Sequence, residues 1–287
     1  MAQAWKWLGS DEVTIVELFD HLVSREERFA GDELNAALTR MGITVHTSAT
    51  TTAIERAERD GPVTATVELG DGRTSTVEAD EALVATGRRP NTAELGLETV
   101  GLQPGSHIQV DDHLRARGVA EGWLYAVGDV NGRSLLTHTG KYQVRIAGAH
   151  IAGADVAAWG DGVAVPRVAF TSPEVAAVGL TEAEARDRGI DVHTARYDIG
   201  RVAAAATPGR GYHGTCQLVI DAERHVIVGA AFVGPRVGEL LHAATIAIVA
   251  EGPLGTLWHA VPAFPTLSEV WLRLLETYRD ERASAFV

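Results

Sequence analysis

The chain has 287 residues, 46% of them hydrophobic and 22% charged, an ordinary globular mixture long enough to bury a real core. Its formal charge of −13 argues against phosphate-backbone binding, which needs Lys and Arg clustered on one face, so no nucleic-acid partner is expected. No apolar run approaches the roughly eighteen residues of a membrane span, and Met1–Lys6 does not read as a signal peptide, so the expectation is a cytoplasmic protein without a membrane partner.

In chain order, residues 1–9 read as the end of a helix with Gly9 at its C-cap, followed by a buried strand at Val13–Glu17. A helical segment around Asp32–Met41, with Leu34, Leu38 and Met41 on one face, leads to a second strand, Ile43–Thr47, at βαβ spacing. From Thr50 to Ala79 the hydrophobic period becomes two. Thr64–Leu69, the turn Gly70-Asp71-Gly72 and Thr74–Glu78 predict an antiparallel hairpin or meander, closed by a strand at Glu81–Thr86. A short strand at Ile108–Asp111 and an apolar strand at Trp123–Val130 precede a helix running from Thr137 through Ile151. The Gly-rich stretch 157–163 reads as a boundary. Beyond it, Thr181-x-x-Glu184 has the form of a capping box. Strands then follow at Gly214–Asp221 and Val226–Gly234, with a helix at Val237–Glu251. The terminal helix is amphipathic, with Trp271, Leu274, Leu275 and Tyr278 on one face.

An apolar strand that ends in Gly128-Asp129 and hands the chain to a helix N-terminus is how α/β folds present a carboxylate and free N–H groups to a polar ligand. Asp129 is therefore the first candidate ligand contact. With Ala85-Thr86-Gly87-Arg88-Arg89-Pro90-Asn91 about forty residues upstream, the chain resembles the flavoprotein pyridine nucleotide-disulfide oxidoreductases, the family of dihydrolipoyl dehydrogenase and glutathione reductase. Their paired signatures are ATGRxPN and a strand ending in GD. Phe170–Ala185 similarly resembles the opening of that family's dimerisation domain. The resemblance implies an α/β fold of partial doubly wound nucleotide-binding domains plus an α+β dimerisation domain. The divisions would be 1–90 for a truncated NAD(P)-binding domain, 91–160 for the C-terminal part of the FAD-binding domain, and 161–287 for the interface. It covers only the C-terminal part of the family. The FAD-binding glycine loop, the redox cysteine pair, and the first strand and phosphate loop of the NAD domain have no counterpart here. The expectation is a fragment that is hard to keep folded by itself.

Carried over residue by residue, the resemblance has Asp129, after Gly128, accept a hydrogen bond from a ribityl hydroxyl of FAD. The helix N-terminus at Leu136, Thr137 and His138 would face the flavin pyrimidine, where a helix dipole stabilises negative charge. The plain alternative is an Asp129 that only caps a turn. Thr86-Gly87-Arg88 would bring backbone close to the dinucleotide, the glycine having no Cβ to obstruct it, or would be a simple strand-to-loop exit. Glu17, at a strand end, would accept hydrogen bonds from the adenosine ribose and favour NAD over NADP. As a solvated strand-end acid it would say nothing, and Arg25 and Arg28 point the other way.

Phe264-Pro265-Thr266 stands where disulfide reductases of the family carry His-Pro-Thr, and a phenyl ring can neither take up nor give a proton. Glu269, the catalytic candidate that would orient that His, loses its partner and has a local alternative in a Thr266-x-x-Glu269 capping box. His259 is offset by five residues and is not a replacement. The only cysteine, Cys216, excludes an intrachain disulfide and any redox pair and reads as a small buried hydrophobe. Gly209-x-Gly211-x-x-Gly214 fits a dinucleotide fingerprint by letter but runs into a strand, which makes it a loop. The reading is an FAD-dependent NAD(P)H oxidoreductase, homodimeric, passing hydride from nicotinamide to flavin and on to a quinone or similar small acceptor rather than through dithiol exchange. Ala283–Val287 has no cysteines, which disfavours the acceptors of mercuric reductase and the larger thioredoxin reductases. The alternative is a non-catalytic dimerisation module lacking both phosphate-binding loops.

Overall fold

The computed structural model of the chain describes residues 1–207 and 211–281. They form two compact units, one of Met1–Leu83 with the chain from Pro166 onward, the other Val84–Val165.

The first unit begins with α1 (Ala2–Trp7), whose C-cap is Leu8, with Gly9 following it. Strand β1 (Thr14–Val16), helix α2 (Arg28–Arg40) and β2 (Thr44–His46) make the expected βαβ unit, with Thr14 opposite Thr44 and Val16 opposite His46 in a parallel pair. Leu22, Leu34, Leu38 and Ile43 form its core, so the apolar stripe of α2 fixes how the helix lies on the strands. The strand expected to be buried is not. Thr14 is exposed and Ile15 and Val16 are half-buried, because two strands alone cannot enclose a face. The period-two stretch folds as predicted into a separate antiparallel sheet, β3 (Thr50–Arg56), β4 (Val63–Glu68) and β5 (Thr74–Ala79), in that order. The closing strand at Glu81–Thr86 does not form. Its residues are exposed and irregular, Leu83 at 64% and Val84 at 67%, since no neighbouring strand offers them a ladder.

The second unit has one long helix, α3 (Thr137–Ile151), and otherwise turns and 3₁₀ segments. Of the two strands expected here, neither forms a ladder: 108–111 and 123–127 make only isolated bridges, and Gly128–Val130 belong to a 3₁₀ turn. Val110 bridges Ala116, and Arg115 bridges Tyr125, with the Ala126 N–H on Leu114 and the Ala116 N–H on Leu124. The partner of 123–127 is the turn at 114–116 rather than a neighbouring strand, which is why the apolar run never becomes a ladder. Leu97, Ile108, Val110, Leu114, Ala126 and Ala147 close the core under α3.

The chain then completes the first unit with a five-stranded antiparallel sheet of β6 (Arg167–Ala169), β7 (Glu174–Gly179), β8 (Val192–Asp198), β9 (Thr215–Asp221) and β10 (Val226–Gly234), ordered β6-β7-β10-β9-β8. Short helix α4 (Glu182–Asp187) carries the predicted capping box, Thr181 with Glu184. The helix expected at Val237–Glu251 splits into a 3₁₀ turn and α5 (Leu241–Val249), which lies on β7 and β10. After the single turn of α6 (Leu254–Leu257), α7 (Glu269–Glu281) seals the β8–β9 end with Val270, Leu274, Leu275 and Tyr278 buried. Burying each of these side chains contributes roughly 2 kcal/mol, so the amphipathic stripe accounts for the docking of the helix.

Three polar contacts tie this sheet to the N-terminal βαβ part. Gln3 exchanges two hydrogen bonds with the Ser172 backbone at 2.7 and 2.9 Å. Glu26 grips Arg167 with two more at 2.8 and 2.9 Å. The buried Glu27 carboxylate accepts the Glu182 N–H, the first of α4, at 2.7 Å. No described helix is long and apolar enough to cross a membrane.

Candidate functional site

In the 84–165 unit, residues 128–133 form a tight turn ahead of α3. Gly128 takes φ +76°, open to glycine at little cost, and a Cβ on Gly140 of α3 would stand 3.3 Å from its Cα. Two glycines thus let the turn sit directly on the helix. Gly132, at φ +73°, repeats the device, as a Cβ there would fall 2.8 Å from the His107 ring. Asp129 projects from this turn with its side chain 57% exposed. Its Oδ2 accepts from Arg88 Nη1 at 3.2 Å, and the same nitrogen donates to the Leu135 carbonyl at 3.2 Å. The two sequence signatures therefore meet in space.

Leu136 holds the N-cap of α3 in extended conformation, and no side chain caps the helix. Thr137 and His138 are exposed at the same end, so a 15-residue helix presents its positive dipole end and first N–H groups beside Asp129. Thr86 and Gly87 lie in the exposed segment leading to Arg88, with open space around the Gly87 Cα.

Beneath the turn is a buried polar network that sequence reasoning missed. Gln143, fully buried on α3, accepts from the Gly128 N–H at 2.7 Å and from Asn131 Nδ2 at 2.8 Å through one oxygen. Its Nε2 donates to Asp161 Oδ2 at 2.7 Å. Asp161, with a side chain 2% exposed, is held by Arg133 at 3.2 Å, and Arg133 also donates to Asp112 at 2.9 Å. Asp111 nearby accepts from the Arg115 and His113 backbone and the Arg115 side chain. Partial burial pulls its carboxyl upward, but these bonds hold it below the usual range. A mid-helix glutamine carries no signal of its own in the sequence, and Asp161 sits in a Gly-Asp-Gly that reads only as a boundary.

The remaining candidates lie in the other unit. Glu17 follows the last residue of β1, its Oε1 accepting the Phe19 N–H at 3.0 Å, which gives it a local turn partner. Of the two opposing basic residues, Arg28 is engaged by Asp20 and lies 3.9 Å from Asp32. Phe264 is 75% exposed. The capping box at Thr266 does not form. Glu269 instead turns its Oε2 to the Ala203 N–H at 3.1 Å and its Oε1 to Arg273 at 2.7 Å, while the Thr266 hydroxyl donates to the Ala263 carbonyl. The Arg273 guanidinium, helped by the Ala203 N–H, holds the Glu269 carboxyl below its ordinary value. A carboxylate with both oxygens committed to a fixed cation and a backbone donor is poorly placed to serve as a proton shuttle. His259 is exposed. Cys216 is fully buried in β9, which pushes its thiol up and leaves it inert. Gly209 and Arg210 of the fingerprint-like loop lie outside the described residues, as does 283–287, and Gly214 leads into β9. Among the described residues no cluster of three or more His, Cys, Asp or Glu could hold a metal ion.

A βαβ unit, a glycine–acid turn beside an uncapped helix N-terminus, and an antiparallel sheet sealed by a terminal helix put the chain among α/β proteins with nucleotide-binding elements. Residues 1–155 match the family model described as pyridine nucleotide-disulphide oxidoreductase, and 165–274 match that family's dimerisation domain. The chain belongs to the pyridine nucleotide-disulphide oxidoreductases. It is 34% identical over 270 residues to dihydrolipoyl dehydrogenase of Geobacillus stearothermophilus, covering 92% of this chain and 55% of that protein. Mercuric reductase of Bacillus cereus is 31% identical, over 94% of this chain and 42% of its own. Among solved structures, LpdA from Mycobacterium tuberculosis superposes with a TM-score of 0.80 at 28% identity, over 96% of this chain and 58% of that one. The chain thus spans about half the length of the curated relatives it matches.

Proposed function

We propose that this chain forms the flavin-facing and interface portion of a homodimeric, FAD-dependent NAD(P)H oxidoreductase. The observation that carries the reading is the exposed Asp129 carboxylate beside the uncapped N-terminus of α3, with Arg88 of the upstream signature on the same spot. The residues present fit the flavin end of FAD. Asp129 is an acceptor for a ribityl hydroxyl, and Thr137, His138 and the positive dipole end of the helix suit a polar ring edge that gains negative charge. Thr86 and Gly87 leave room for the dinucleotide backbone. The Arg88–Asp129 pair is exposed and worth less than about 1 kcal/mol, so a ligand hydroxyl can displace it. When bound, FAD supplies hydride acceptance from the nicotinamide and electron delivery to the acceptor.

Glu17 keeps one carboxylate oxygen for an adenosine ribose, which supports NAD over NADP. Phe264 carries no proton and Glu269 is committed to Arg273 and Ala203, which supports an acceptor reduced directly, a quinone or similar small molecule, over dithiol exchange. The functional divisions would be 1–90 for nicotinamide nucleotide, 91–160 for flavin and 161–287 for the subunit interface.

A second reading, a non-catalytic dimerisation module, is favoured by the exposed, unladdered residues 81–86. The deciding experiment is a visible spectrum of the purified chain after incubation with FAD and desalting, before and after NADH. A retained band that bleaches supports the enzyme. A colourless dimer supports the module.

A further inference from the structure

We infer that Gln143 is the positioning residue of this site. Its buried amide pins the Gly128–Asp129 turn to α3 and so sets where the Asp129 carboxylate stands. The inference deepens the flavin reading and rests on it for the ligand.

The geometry leaves little freedom. One Gln143 oxygen takes both the Gly128 N–H and the Asn131 amide, while Asn131 also donates to the Ala126 carbonyl at 3.0 Å and accepts the Arg133 N–H at 3.0 Å. The turn is therefore held on both sides of Asp129 by a single side chain of zero exposure. The Gly132 N–H closes back on the Asp129 carbonyl at 3.1 Å, which fixes the peptide that carries the acid. The amide is also needed at its other end. Gln143 Nε2 is a donor to the buried Asp161 carboxylate, whose charge Arg133 balances. Only a group that accepts on one side and donates on the other completes this chain, so a carboxylate at 143 would set two anions face to face, and an apolar residue would strip the Gly128 N–H of this acceptor and remove one hydrogen bond each from Asn131 and Asp161.

That polarity provides the test. Gln143→Glu with Asp161→Asn reverses the donor and acceptor across the 143–161 bond, keeps one buried charge, and leaves an acceptor for both Gly128 and Arg133. Backbone hydrogen exchange is measured on the chain without FAD for wild type, Gln143→Leu, Gln143→Glu and the double variant. Leu274→Ala in the other compact unit serves as a control for general destabilisation. The expected result is Gly128 and Asp129 exchange faster by about tenfold or more in both single variants, relative to amides in the middle of α3, and return to within about threefold of wild type in the double variant. Leu274→Ala leaves that ratio unchanged. In parallel, quenching of FAD fluorescence is expected to weaken in the single variants and recover in the double one.

Equal turn exchange in wild type and Gln143→Leu, or wild-type FAD affinity in both single variants, overturns the proposal. Should the single variants fail to fold, the double variant decides, since a folded protein with an unprotected Gly128 also overturns it. Wild type that does not quench FAD defeats the flavin reading alone, and the exchange contrast still judges whether Gln143 positions the turn.

Discussion

Arg88 and Asp129, 41 residues apart in sequence, share a 3.2 Å contact, and the same Arg88 nitrogen reaches the Leu135 carbonyl at the threshold of α3. One guanidinium thus spans the acid and the helix entrance that together make up the candidate site. Both side chains are more than half exposed, 64% and 57%, so solvent screens the pair. It orients the acid more than it stabilises the fold.

From this, Arg88→Ala should change unfolding free energy by less than about 1 kcal/mol. Asp129→Ala should be equally mild in thermal unfolding yet weaken FAD binding by about tenfold, the loss of one charge-assisted hydrogen bond. Fluorescence titration beside a melting curve reads both. A large loss of stability with unchanged FAD affinity would reverse the assignment.

Glu27 makes stability depend on pH in an unusual direction. Burial raises its carboxyl above the ordinary glutamate value, opposed by the Glu182 N–H and Arg196. The folded protein therefore binds a proton more readily than the unfolded chain in the window just above the ordinary glutamate value, and Glu27's contribution falls as pH rises through it. Glu27→Gln keeps an acceptor for the Glu182 N–H without the buried charge. It should raise the melting temperature near neutral pH and flatten its decline, measured by unfolding across a pH series. A variant less stable than wild type at neutral pH would mean that the charge itself is needed.

Where local pattern and tertiary partner agreed, the sequence was easy to read. The α2 stripe of Leu34 and Leu38, the hairpin turning at Gly70–Gly72, and the Thr181–Glu184 box depend on contacts within or beside their own segment. Readings that assumed a neighbouring strand failed. Glu81–Thr86 and Trp123–Val130 carry short apolar runs but have no adjacent ladder, and an apolar run alone forms no strand hydrogen bonds. The motif residues Arg88 and Asp129 were legible because their types are specific. Gln143, Asn131 and Asp161 were not, because a buried polar residue is recognised only by the partners that satisfy it.

Phe264 offers a test of the interface. At 75% exposure, near Val261 at 87% and with Phe170 at 86%, it lies in or beside the family-matched dimerisation segment. Phe264→Ser should alter the stability of one protomer by no more than about 0.5 kcal/mol, since the ring is scarcely packed. It should shift a homodimer toward monomer in sedimentation velocity. Unchanged sedimentation would place the subunit contact away from this loop.

Glu269 gives the opposite pH signature to Glu27. The Arg273 hydrogen bond lowers its carboxyl, so its contribution is present above the ordinary glutamate value and is lost as pH falls through the depressed one. Glu269→Gln retains an acceptor for the Ala203 N–H but gives up the ion pair with Arg273, which is 37% exposed and partly screened. The expected cost is about 1 kcal/mol near neutral pH, fading in acid as wild type loses the same charge. Glu269→Ala removes both contacts and should add faster amide exchange at Ala203, where the carboxylate anchors the 199–207 segment. If Glu269→Gln instead left stability untouched at every pH, the carboxylate would be free of its structural duty, and its role in proton transfer would have to be considered again.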